Sequence, residues 1–350
     1  MEFQLKDLTN QNLIGTSLFD SSKIKHWNPV NLSSEKLLDG QIYHKSLYFD
    51  EHGLNARKWH RDATKPLIDL AINEIKNGDI IVDYGSGTGG SAIELVKRLD
   101  SLGLDFKLIL VDPLESWFSN AYKLLKDRSN IFFCKSYGKD SQGHFSFIKL
   151  DKLLGSNKVD VILSSSTIHL IPPNTLLPLF EEFYHSLSKN GKFIWSSGDI
   201  PSNDMPSFSN LLHDPYREIL KIIKNDAEYR KYELGYNENE VLKMNKKADK
   251  IFPCSNDIDF YLDSLSRSNM KGDIFTKIIT KSIDECKLFM KTPRLSEIAG
   301  LIRDLNERNI FIEKLLLCLT EKSEQSPNSS IFRNGTSYSS YWHYGIFSKI

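Results

Sequence analysis

The stretch IIVDYGSGTGGSAIEL, from Ile80 to Leu95, sets an acid, Asp83, just ahead of a glycine-rich turn. Gly85, Gly87 and Gly89 alternate and Gly90 follows, so backbone N–H groups rather than side chains would face whatever the turn holds. Asp112 lies 22 residues beyond Gly90, at the end of another apolar run. A second chemical stretch is SSSTIHLIPP (164–173), which brings Ser165, Ser166 and His169 close together. An imidazole that titrates near neutrality is a candidate to remove a proton from a nucleophile, or to orient it. It is equally a candidate for a plain hydrogen bond to the glycine loop or for a helix cap.

The glycines alone fit two cofactors. Read as Gly85-x-Gly87-x-x-Gly90, with Asp112 as the ribose-binding acid, the pattern is that of a dinucleotide loop and NAD satisfies it. The turn has no Gly-Lys-Ser/Thr ending, which argues against a nucleoside-triphosphate loop. Asp83 separates the remaining possibilities. A pyrophosphate beside it would meet a carboxylate, and like charges at ~4 Å repel by several kcal/mol at intermediate dielectric. S-adenosyl-L-methionine carries an ammonium and a sulfonium, while its carboxylate can still use the helix N-terminus. The acid therefore favours S-adenosyl-L-methionine.

These residues need a scaffold, and the apolar pattern supplies one. Strand-like runs at 79–85, 106–112, 130–135, 159–166 and 191–197 alternate with helical spacing at 67–76, 91–102, 115–128 and 175–188. Short, doubly buried strands separated by helices predict an α/β, Rossmann-like, doubly wound sheet, mostly parallel. Helical spacing resumes at 295–309. The runs 309–319 and 340–350 read as two closing strands, giving seven in all with an antiparallel edge. The polar stretch 200–293 is too long for a connection and reads as an inserted helical cap that binds the acceptor. The cofactor-binding core is then 66–199 with 294–350. Residues 1–65 form an N-terminal extension whose aromatic part, 41–62, either closes over the site or packs on the sheet. Tyr43, His44, Trp59 and His60 belong to it. Trp195, Trp342 and His343 fall on strands and read as core or sheet-face residues.

DYGSGTGGS resembles the first motif of class I S-adenosylmethionine-dependent methyltransferases, and the resemblance extends over about 80–197. It implies that Asp83, with Gly85, Ser86, Gly87 and Gly89, holds the methionyl end, that Asp112 takes the ribose hydroxyls, and that Ser136 and Tyr137 sit near the adenine. Many relatives carry an acid in that third turn, and this chain has none. Ser165 and His169 would lie by the transferring methyl. SSSTIH also resembles plant carboxyl methyltransferases, which carry Trp where Leu170 stands here. It resembles polyketide-synthase C-methyltransferase domains too, but these place Glu after the fifth strand, where this chain has Ser197, Gly198 and Asp199. Asp199 either assists His169 or caps the first helix of the cap.

The rest of the chain narrows the partners. Its 350 residues hold 45 Lys and Arg against 45 Asp and Glu, so no charge excess points to nucleic acid or an anionic membrane. A small-molecule acceptor fits better. Four separated cysteines, Cys134, Cys254, Cys286 and Cys318, form no C-x-x-C pair, which favours a reducing, cytoplasmic setting and no metal. The opening MEFQLKDLTNQNL lacks a signal-peptide pattern, and the sequons at Asn31, Asn328 and Asn334 read as chance. The reading is thus a methyltransferase. The alternatives are an NAD-dependent oxidoreductase on the same loop, or an interaction module that has lost turnover.

Overall fold

Runs such as IIVDY and KLILVD are apolar on both faces, and each becomes a central strand of one sheet. The computed structural model describes residues 19–29, 33–139, 144–205, 210–325, 332 and 336–350. The sequons at Asn31, Asn328 and Asn334 and the opening thirteen residues lie outside them. The strands are β1 (Asp79–Tyr84), β2 (Phe106–Asp112), β3 (Ile131–Lys135), β4 (Tyr137–Lys139), β5 (Phe145–Phe147), β6 (Val159–Ser165), β7 (Leu187–Ser197), β8 (Met270–Ser282) and β9 (Ser337–Lys349). β4 and β5 form a separate small hairpin. The other seven make one sheet in the order β3-β2-β1-β6-β7-β9-β8. β1, β2, β3, β6 and β7 run parallel, whereas β9 is antiparallel to both β7 and the edge strand β8. The strand order reverses between β1 and β6, so a ligand crevice belongs at their carboxyl ends.

The helices are α1 (Ser34–Leu47), α2 (Lys58–Glu74), α3 (Gly90–Ser101), α4 (Glu115–Leu125), α5 (Leu150–Leu154), α6 (Pro173–Ser186), α7 (Asp214–Asn225), α8 (Ala227–Arg230), α9 (Glu238–Ala248), α10 (Ile258–Arg267), α11 (Ile283–Met290), α12 (Pro293–Ser296) and α13 (Leu305–Gln325). Strand alternation sends Ile81 and Leu108 to one face, where Leu67, Leu95 and Phe118 of α2, α3 and α4 bury them. Val82, Ile109 and Phe193 face the other way, against Leu153, Phe180 and Leu265 of α5, α6 and α10. A third core lies off the sheet, formed by Tyr216 and Ile219 of α7, Phe289 of α11 and Leu316 of α13.

That helical lobe departs from the sequence reading in three places. The run 309–319, expected as a strand, lies within α13. Its buried residues Ile312, Leu315, Leu316 and Leu319 recur at helical spacing, and each contributes roughly 1.5–3 kcal/mol on burial. The seventh strand is instead β8, inside the stretch assigned wholly to the cap. β8 is a charged edge strand, with Lys271, Asp273 and Lys277 among its residues, and such strands read as polar loops. The lobe is therefore built from two insertions, one between β7 and α10 and one between β8 and β9, rather than one. The helix expected at 295–309 is also broken, with α12 ending at Ser296 and α13 starting at Leu305. Among the described residues no helix is long and apolar enough to cross a membrane.

Candidate functional site

The loop after β1 turns because its glycines take backbone angles closed to other residues. Gly85 has φ +76°, and a Cβ there would stand 2.2 Å from Cγ2 of Thr167. Thr167 makes use of that closeness: its hydroxyl reaches the carbonyls of Gly85 (3.1 Å) and Ser165 (3.0 Å), tying the loop to the turn after β6. Gly89, at φ +88°, starts α3 and packs against Ala121 of α4.

Two acids sit beneath this loop. Asp83, at the end of β1, is fully buried, and the Ser91 hydroxyl donates to it at 3.0 Å. Burial pushes its carboxyl up to about 7; the Ser91 bond opposes the shift and nearby Asp112 adds to it. Asp112, at the end of β2, accepts from the N–H groups of Gly87 and Leu114, both at 2.7 Å. Burial raises it to about 6 in spite of those two bonds. Neither acid forms an ion pair among the described residues. In the loop itself, Ser86 Oγ and Thr88 Oγ1 are buried without a hydrogen-bond partner. Buried polar atoms in native proteins are rarely left unpaired, so this cradle has the character of a ligand seat.

The turn after β6 carries the second group of residues. Ser166 has φ +51°, a strained angle for serine, held by its N–H bond to the Ser196 carbonyl at 2.8 Å. His169 follows in a single 3-10 turn and is buried. Its Nδ1 pairs with Ser197 Oγ at 2.9 Å, and its Nε2 has no partner. Burial holds its pKa down to about 3, with Asp199 opposing and His213 and Arg217 reinforcing the shift. His169 is therefore a neutral imidazole near pH 7. In the tautomer with hydrogen on Nδ1, Nε2 presents a free lone pair.

Beside it lies a constellation assembled from distant parts of the chain. The Asp199 carboxylate accepts from the N–H of His213 (3.0 Å), from His213 Nδ1 (3.0 Å) and from Arg217. Burial works against its charge, but His213, His169 and Arg217 together hold it well below the usual carboxylate range. The rings of His169 and His213 stand 5.4 Å apart. His169, Asp199 and His213 each offer one possible metal-ligand atom, all within 4.8 Å of one another. Arg217 already occupies both Asp199 oxygens, so the chemistry of this set suits holding protons better than a cation. Asp199 thus holds His213, the residue just ahead of α7, and its carboxylate lies near His169.

A run of packed aromatic rings links the loop to the lobe. Trp117 lies against Gly87, and Tyr43 stacks on Trp117 with centroids 4.1 Å apart. Tyr43 meets Phe289 at 5.7 Å, and Phe289 stacks on Tyr216 at 5.2 Å. His60 approaches Gly90 from behind the loop, and His44 stacks on Tyr48. Of the residues expected near the adenine, Ser136 is buried and donates its N–H to the Asp112 carbonyl at 3.0 Å. The Tyr137 ring turns away to stack with Phe145. Ser165 is half-buried at the end of β6. Trp195 is core, and His343 bonds the Ile200 carbonyl. Sequence reasoning missed His213, Arg217 and Trp117. Only His213 carried a signal, standing just before the Asp214-Pro215 helix start.

No family model matches the chain. A carboxy-S-adenosyl-L-methionine synthase from Nautilia profundicola is 26% identical over 203 residues, which cover 58% of this chain and 74% of that protein. Among solved structures, the YcgJ protein of Bacillus subtilis aligns with TM-score 0.47 and 14% identity over 83% of this chain and 99% of its own. A cyclopropane synthase from Mycobacterium tuberculosis aligns with TM-score 0.46 and 11% identity, over 92% and 100%. Geranyl diphosphate C-methyltransferase from Streptomyces coelicolor gives 0.41 and 12%, over 83% and 77%.

Proposed function

We propose that this chain transfers a methyl group from S-adenosyl-L-methionine to a small-molecule acceptor bound between the carboxyl edge of the sheet and the helical lobe. The observation that carries the reading is Asp83: a buried carboxylate under a glycine loop, raised in pKa, with no cation paired to it among the described residues. A cationic ligand removes that penalty, whereas the pyrophosphate of NAD would deepen it. The relative from Nautilia profundicola, named for a derivative of the same cofactor, supports the assignment.

The residues fit the cofactor. Asp83 and the loop backbone would hold its methionyl end, the orphaned Ser86 and Thr88 hydroxyls would gain partners, and Asp112 has lone pairs left for ribose hydroxyls. Ser136 and Ser165 border the same edge. When bound, the cofactor supplies a methyl group already activated on a sulfonium, so the protein's task is alignment and exclusion of water. Positioning of this kind supplies several kcal/mol, up to ~7–11 in ideal cases. His169 would accept the acceptor's proton at Nε2 while Ser197 fixes the ring through Nδ1. Asp199 beside it would favour the imidazolium that results, against the opposing pull of His213 and Arg217. The aromatic wall would keep the site dry. Four free cysteines fit the reducing, cytoplasmic setting we assign.

The test is thermal unfolding with S-adenosylmethionine, S-adenosylhomocysteine or NAD, followed by a mass-spectrometric search for labelled methyl groups in a metabolite extract. The first two ligands should raise the Tm and the label should move to a small molecule. Stabilisation by NAD alone would point to the oxidoreductase. Cofactor binding with no transfer to any acceptor would point to an interaction module.

A further inference from the structure

Near the end of β8 an ammonium group lies buried, and no carboxylate among the described residues pairs with it. Lys281 is fully enclosed. Its Nζ stands 4.2 Å from the ring centre of Trp59, 4.4 Å from that of Phe289 and 5.9 Å from that of Tyr216. Among the described residues its hydrogen-bond contact is the Tyr216 hydroxyl, at 3.4 Å. Glu285 and the Cys286 thiol are the negative-going groups that it feels. Glu285, however, is half-buried and committed to the N–H and hydroxyl of Ser282 at the start of α11. Burial drives the lysine pKa down.

Taking an ammonium out of water is costly, and cation–π contacts return only part of that cost. If the position only needed filling, Met or Leu would pack there without that cost. The place of the lysine accounts for the charge. Trp59 belongs to the sheet's own helix α2, while Tyr216 and Phe289 belong to the helical lobe, so Lys281 lies in the seam between them. Phe289 and Tyr216 also border His213, at 6.2 and 6.4 Å. Through Tyr43 and Trp117 the same wall reaches Gly87.

Resting on the methyltransferase reading, we propose that Lys281 is the anion-binding end of the acceptor pocket, and that the acceptor is a carboxylic acid with a flat, apolar body. One ammonium and one phenol hydroxyl can satisfy a carboxylate. A phosphate asks for more donors, and sites built for it use guanidinium groups or helix N-termini. The surrounding rings suit a planar body. The carboxylate would lie against Lys281, leaving the nucleophilic end free to face His169 and the loop.

The experiment is calorimetric titration of the full chain with benzoate, phenylacetate, indole-3-acetate and their primary amides, with and without S-adenosylhomocysteine. At least one acid should bind roughly tenfold to a hundredfold more tightly than its amide. Lys281→Met should bind acid and amide alike, and Lys281→Arg should keep the preference. If no acid outbinds its amide in the wild-type chain, or if Lys281→Met keeps the preference, the proposal is wrong. Should Lys281→Met fail to fold, the wild-type and Lys281→Arg titrations decide. Absence of S-adenosylhomocysteine binding would overturn the methyltransferase reading instead, and leaves the acid–amide comparison standing on its own.

Discussion

The glycine loop and the seam of the helical lobe are opposite in charge, and burial acts on both. Under the loop lie Asp83 and Asp112, acids raised toward neutrality for lack of a cation. In the seam lies Lys281, a cation whose pKa burial drives down, and the turn after β6 carries a neutral His169. The same desolvation moves acids up and bases down. A cationic cofactor on one side and an anionic acceptor on the other would relieve both, so the apo protein carries the cost of a site poised for two charges of opposite sign.

The comparison breaks most visibly at His169, which stands between the two halves. His169→Ala should lower kcat by roughly 10²–10⁴-fold and leave S-adenosylmethionine affinity within about twofold. Steady-state rates alongside calorimetry separate the two quantities, and full turnover in the variant would leave His169 a merely structural role.

Next in size is the backbone that joins the halves. Gly85→Ala sets a methyl group against Thr167 at a positive φ, and should destabilise the chain by about 2–4 kcal/mol in urea unfolding. An unchanged midpoint would show that the loop and the β6 turn move independently.

Comparable in size, and confined to the loop, is a pH signature. Asp83 has a folded pKa near 7, above its ordinary value of 3.8, so the folded apo chain holds this proton more tightly than the unfolded one. Stability from this group is full at low pH and is lost as pH rises from about 4 to 7, by up to about 4 kcal/mol. The buried histidines oppose it. His169 and His60 are depressed to about 3, and His44 and His343 to about 4. Their contribution is full above pH 6.5 and is lost as pH falls through the same window. Asp83→Asn should therefore raise apo stability at pH 8 and change it little at pH 4. A uniform shift at both pH values would remove the assigned cause.

The two halves also differ in how far they could be read from residues alone. The loop is local: Asp83, Gly85, Ser86, Gly87 and Gly89 lie within seven residues, and their strand is apolar on both faces. Spacing therefore carries the site. The seam draws on His169, Asp199, His213 and Lys281, which no periodicity links. Its framework misleads as well, since α13 holds Leu-rich residues in a run short enough to pass for a buried strand, while β8 is charged as edge strands are. Lys281 sits in that polar-looking strand, and only packing against Trp59 and Phe289 distinguishes it from surface lysines such as Lys277.

Affinity of the loop for S-adenosylmethionine should rest on the buried Asp83 and its need for a cation. Calorimetric titration of the wild-type chain and of Asp83→Asn with S-adenosylmethionine and with NAD addresses it directly. The account predicts saturable binding of S-adenosylmethionine to the wild-type chain, a loss of roughly a hundredfold in Asp83→Asn with the fold intact by circular dichroism, and no NAD binding to the wild-type chain. Unchanged affinity in Asp83→Asn, or NAD binding to the wild-type loop, would contradict it.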